Sequence, residues 1–76
     1  MKIDKEFLSK FIGANIKGFR NEKGWSQRDL ATASDISNAE ISRLESGKRK
    51  EPSPSVLKEI AKALGVPFET ILFLCA

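Results

Sequence analysis

Trp25-Ser26-Gln27-Arg28-Asp29-Leu30 and, beyond Ser34-Asp35-Ile36, Ser37-Asn38-Ala39-Glu40-Ile41-Ser42-Arg43-Leu44-Glu45-Ser46-Gly47 decide how this chain folds. Ser26-Gln27-Arg28-Asp29 has the form of a capping box. Its serine hydroxyl accepts from the Asp29 amide, while the carboxylate reaches back to the Ser26 amide. Asp29 is a shorter partner than the usual Glu or Gln. Trp25, just ahead of the cap, is placed to pack on Leu30 as a hydrophobic staple. Ser37-Asn38-Ala39-Glu40 repeats the box with Glu, and Gly47 supplies a left-handed stop. These signals predict short helices over about 27–33 and 38–45, with only Ser34, Asp35 and Ile36 between them.

Such a pair is the sequence form of a helix-turn-helix. Upstream, from about Asp4 to Lys23, Leu8, Ile12, Ile16 and Phe19 recur at helical spacing, and Phe7 and Phe11 widen the stripe. Asp4 can cap this segment and Gly24 can end it. Gly13 and Gly18 lie inside it, each disfavouring helix by about 1 kcal/mol. A separate N-terminal arm over about 1–13, hinged near Gly13, is therefore expected. Downstream, Lys48 to Pro52 reads as a loop. Ser53 then caps a helix with Pro54 at its first position, and Val56, Leu57, Ile60, Ala61 and Leu64 form its apolar face. Gly65 stops it, and Pro67 opens a last helix through Phe68, Ile71, Leu72 and Leu74. The expected architecture is all-α: a compact bundle of about five short helices, one domain over residues 1–76.

Composition narrows the function. Seventy-six residues can bury only about 60–65% of their unfolded surface, enough for one thin core. There is no histidine and one cysteine, Cys75. The commonest general base and metal ligand are missing, and one thiol can neither form an internal disulfide nor hold zinc alone. No phosphate-cradling glycine loop is present. An enzyme is not expected, nor a metal or cofactor. No cleavable leader and no long apolar run are read from the chain, so a cytoplasmic location away from membranes is expected.

The net charge of +3 is unevenly spread. Arg43, Lys48, Arg49 and Lys50 cluster together, whereas beyond Lys62 there is no basic residue and only Glu69 is acidic. At about 100° per residue, Ile41 and Leu44 fall on one side of the second motif helix. Asn38, Ala39, Ser42 and Arg43 fall on the other. Such a face suits the DNA major groove, where Asn pairs with adenine, Arg with guanine, and a methyl group meets thymine. An ordinary solvated helix face has the same look.

The surrounding chain separates those readings. It carries Ile16-Lys17, Arg20, Lys23-Gly24-Trp25-Ser26-Gln27, Leu30-Ala31 and Ile36-Ser37. It continues with Ile41-Ser42-Arg43-Leu44-Glu45-Ser46-Gly47-Lys48, Pro52-Ser53, Leu57, Ile60-Ala61 and Ala63-Leu64-Gly65-Val66. From Ile16 to Leu72 the sequence resembles the lambda-repressor-like domain of the Cro/C1, or Xre, family. The resemblance implies that Gln27 bonds a phosphate, that Asn38, Ala39 and Arg43 face bases with Ser42 beside them, and that Ser46 and Lys48 touch the DNA backbone. Arg49 and Lys50 join the phosphate set from their charge and loop position. Arg20 and Glu45 match a pair that bridges the first and third helices. The family's usual turn glycine is Asp35 here, and Ser34 replaces an apolar residue, so looser packing is expected at that point.

The resemblance implies a sequence-specific regulator of transcription, a repressor on a palindromic operator of double-stranded DNA. Two other roles stay open: an antitoxin-like module that also holds a protein, and a controller protein of a restriction-modification system. Phe7, Phe11, Phe19 and Trp25 read as core residues rather than base-stacking ones, and Cys75 as an inert thiol. The chain closes on Phe73-Leu74-Cys75-Ala76 with no polar tail. Either a downstream regulatory domain normally follows, or Ile71, Leu72, Phe73 and Leu74 form a homodimer interface.

Overall fold

The computed structural model describes residues 5–49 and 52–72. Five helices follow in order: α1 (Lys5–Glu22), α2 (Gln27–Ser34), α3 (Asn38–Ser46), α4 (Pro54–Leu64) and α5 (Phe68–Leu72). No strand occurs among the described residues. This is the all-α bundle that the capping pattern predicts. Helix α1 lies against α3, α4 and α5, while α2 packs on α3 and α4. The core at their meeting contains Ile12, Ile16, Leu30, Ile41, Leu44, Leu57, Ile60, Leu64 and Ile71, all buried. Burial of each such side chain contributes about 1.5–3 kcal/mol. Trp25 and Phe19 pack against this core from its edge.

Helix α1 overturns two expectations. It is continuous through Gly13, with no hinge and no separate arm. The glycine is there for contact: a Cβ at Gly13 would run into the Leu44 carbonyl oxygen and lie 3.0 Å from that of Glu45. From the other helix, Gly47 admits Lys10, whose Cγ would be 2.7 Å from a Cβ at that position. Two glycines thus let α1 and α3 approach backbone to side chain. Gly18 has open space around it, and nothing in the structure explains its choice.

The buried stripe of α1 is accordingly Ser9, Ile12, Gly13, Ile16 and Arg20. Gly13 faces α3, while Phe7 and Leu8 at the start of the helix are turned outward. Phe7 is 60% exposed and Leu8 40%, so neither is the core residue that periodicity predicts. Phe7 instead stacks on the half-buried Phe11, ring centroids 6.1 Å apart and planes 15° from parallel. On another side of α1, the buried Asn15 donates through Nδ2 to the Ile71 carbonyl at 2.6 Å. This bond ties α5 to the bundle.

Ile71 itself is fully buried. It is therefore core, and the expected interface on Ile71, Leu72, Phe73 and Leu74 is corrected at that residue. Leu72 is half-buried against the same core, and Phe73, Leu74, Cys75 and Lys50 lie outside the described residues. At the start of α4, Pro54 takes the first position but the Ser53 hydroxyl caps nothing. It pairs with Ser55 Oγ at 2.9 Å instead.

Candidate nucleic-acid interface

The motif helices are set by the bonds that the sequence advertises, with one exception. Asp29 N donates to Ser26 Oγ at 3.0 Å and Ser26 N to Asp29 Oδ2 at 2.8 Å, so the box closes even with the shorter acid. Ser37 closes only half of its box. The Glu40 amide donates to Ser37 Oγ at 3.1 Å, but the Glu40 carboxylate does not return. It accepts from Arg49 Nη1 at 2.8 Å through Oε1, which also lies 3.8 Å from Arg43 Nη1. The guanidinium takes the carboxylate in place of the backbone amide because it brings a full opposite charge as well as a donor.

The turn between α2 and α3 is tight. Asp35 sits at φ 60, ψ 29, in the left-handed region expected for it. Ser34 is buried rather than loosely packed. Its hydroxyl donates to the Leu30 carbonyl at 2.7 Å and accepts from the Ile36 amide at 3.3 Å. The Ser34 hydroxyl thus stitches the turn to α2.

Behind the motif, Arg20 and Glu45 form a bidentate pair. Arg20 Nε lies 2.6 Å from Glu45 Oε2 and Nη2 lies 2.8 Å from Oε1. Arg20 Nη1 also donates to the Trp25 carbonyl at 2.7 Å. The two side chains are only 10% and 3% exposed. The hydrogen bond to Glu45 raises the Arg20 pKa above its already high ordinary value, against the opposing effect of burial. The group stays charged and joins α1, α2 and α3. Gln27 adds a contact that sequence reading missed: its Nε2 donates to Glu45 Oε1 at 3.1 Å. Nothing local in the sequence signals it, since Gln27 and Glu45 meet only across the packed motif.

On the opposite side of α3, Asn38, Ala39, Ser42 and Arg43 are all exposed, whereas Ile41 and Leu44 are 0% and 1% exposed. The outer face is thus one continuous strip beginning at the helix N-terminus. Ser46 and Lys48 are exposed at the far end, where Ser46 Oγ donates to the Arg43 carbonyl at 3.0 Å. Arg49 is half-buried on Glu40, a placement that its charge and loop position did not reveal. The Glu40 Oε2 atom is buried without a hydrogen-bond partner among the described residues.

The helix-turn-helix family HTH_3 matches residues 16–71. This chain belongs to that family. HTH_3 is a family of transcription regulators rather than enzymes, and the Cro/C1-type resemblance read from the sequence stands. The chain is similar to the HTH-type transcriptional repressor RghR of Bacillus subtilis, with 39% identity covering 82% of this chain and 46% of that protein. Among solved structures, the hypothetical transcription factor NHTF from Neisseria superposes with a TM-score of 0.84 at 29% identity, covering 96% of this chain and 83% of that one. The clp gene regulator ClgR from C. glutamicum gives 0.77 at 37% identity, covering 86% and 83%. The chain spans less than half the length of the first curated relatives it matches. No described helix of this HTH_3 domain is long and apolar enough to cross a membrane.

Proposed function

We propose that this HTH_3 domain binds double-stranded DNA in the cytoplasm as a sequence-specific regulator of transcription, acting as a repressor on a palindromic operator. One observation carries the reading. Asn38, Ala39, Ser42 and Arg43 are exposed side by side on α3, while its other side is sealed into the core. A helix so mounted can enter the major groove without disturbing its packing, and those residue types match base edges there. In this reading Arg43 reads guanine and Asn38 adenine. Ala39 and Ser42 fill the space between, and Gln27, Ser46, Lys48 and Lys50 hold phosphates. Arg49 joins the phosphate set only when released from Glu40.

One recognition helix touches too few base pairs to select a genomic site, so two copies bind half-sites about 34 Å apart or a multiple of that. With Ile71 in the core, the homodimer contact falls to Leu72, Phe73 and Leu74. Repression by RghR of B. subtilis, a protein of similar sequence, supports the sign of regulation.

Selection of bound sequences from a random duplex pool tests the reading. A two-fold symmetric sequence is the expected product. Arg43→Ala is then measured against all single-base variants of it. Preference should relax at one position, with a loss of about 1–3 kcal/mol. A uniform loss across variants would reduce Arg43 to a phosphate contact. No enrichment, together with a tightly held protein partner, would favour an interaction module instead.

A further inference from the structure

We propose that Glu40 is a positioning residue of the DNA-reading surface: its carboxylate withholds Arg49 from phosphate and thereby leaves Arg43 to face the bases. The inference rests on the duplex-binding reading and adds the selection between its two arginines.

The geometry is specific. Glu40 stands on the first turn of α3, and two guanidinium groups converge on its Oε1. One carboxylate neutralises one cation. Arg49 takes it, at 2.8 Å and with 37% of its side chain exposed, while Arg43 stays at 3.8 Å and 60% exposed. The Glu40 side chain is only 15% exposed, so solvent screens the Arg49 bond weakly. The carboxylate even forgoes the Ser37 amide, the partner that a capping box would offer it. Its Oε2 is buried and unpartnered among the described residues, so Oε1 is the atom both guanidiniums approach, and removing Arg49 opens that atom to Arg43. Arg49 acts as a decoy: it occupies Oε1 at hydrogen-bond distance and leaves Arg43 at the longer 3.8 Å, with most of its side chain exposed.

Removing the acid should liberate a cation and lose the selection. With the wild type on random duplex as reference, Glu40→Gln is expected to steepen the slope of log K against log[salt] by about one unit. Adding Arg49→Gln to that variant should restore the original slope. Glu59→Gln on the exposed face of α4 makes the same change in net charge outside the motif and should leave the slope near wild type. On the selected duplex, Arg49→Ala is expected to lower discrimination only at the base pair that Arg43→Ala identifies, because Glu40 then captures Arg43. Melting curves of each variant separate folding from binding, and Arg49→Ala serves if Glu40→Gln does not fold.

Equal slopes for wild type and Glu40→Gln would overturn the proposal. So would an equal rise with Glu59→Gln, or unchanged discrimination in a folded Arg49→Ala protein. A wild type that binds no duplex would instead overturn the DNA reading itself, and this inference with it.

Discussion

Gly13 and Gly18 share one helix, so replacing each by alanine separates helix propensity from packing. Glycine in a helix interior is worse than alanine by about 0.8–1 kcal/mol, and both variants gain roughly that amount. At Gly18 no atom lies within 4 Å of the new methyl, so the gain should survive. At Gly13 the methyl meets the Leu44 carbonyl oxygen and lies 3.0 Å from the Glu45 carbonyl oxygen. Backbone atoms cannot rotate away, so α1 and α3 must separate. Overpacking of this kind costs about 1–3 kcal/mol, and separation also strains the Arg20–Glu45 pair between the same helices. The net expectation is a loss of up to about 2 kcal/mol for Gly13→Ala and a gain of about 1 for Gly18→Ala. In a domain of this size 1 kcal/mol shifts Tm by roughly 4–8 °C, so the two variants should melt on opposite sides of wild type. Urea and thermal unfolding followed by far-ultraviolet circular dichroism would measure both. If Gly13→Ala proves as stable as Gly18→Ala, the close approach of α1 to α3 is wrong, and with it the mounting of α3.

Three further outcomes are expected. Glu45→Ala strands the buried Arg20 charge and should cost about 3–5 kcal/mol, enough to unfold much of the population at 25 °C. Pairing it with Arg20→Met should recover part of that loss in the same urea titration. Asp35→Gly removes the side chain from a position at φ 60 and should raise stability by about 0.5–1 kcal/mol; a loss would mean that the Asp35 side chain itself holds the turn. Sedimentation across a concentration series should show self-association weakened by Phe73→Ser and Leu74→Ser, and unchanged association in both would discard this surface.

The local elements were legible because their signals are local. Ser26 with Asp29, Pro54 at its helix start, and Gly47 and Gly65 beyond theirs act within one turn of chain, so the order of spacing alone located them. The exposed face of α3 was legible for the same reason, since Ile41 and Leu44 could point only one way. Arg20 and Glu45 came from resemblance, and no spacing rule joins residues so far apart.

By itself the sequence determined the five helices, the tight turn at Asp35 and the polar strip on α3, all properties of a few neighbouring residues. Tertiary structure decided which side of α1 faces inward. Periodicity favoured the large apolar residues Phe7 and Leu8, but both are exposed, and contact with α3 selected Gly13, because backbone approach leaves no room for a side chain. It also decided the partners of the charged groups. Glu40 abandoned the Ser37 amide for Arg49, and Gln27 found Glu45. A carboxylate binds the strongest donor that folding brings within reach, and that donor is chosen by how helices pack, which no local pattern records.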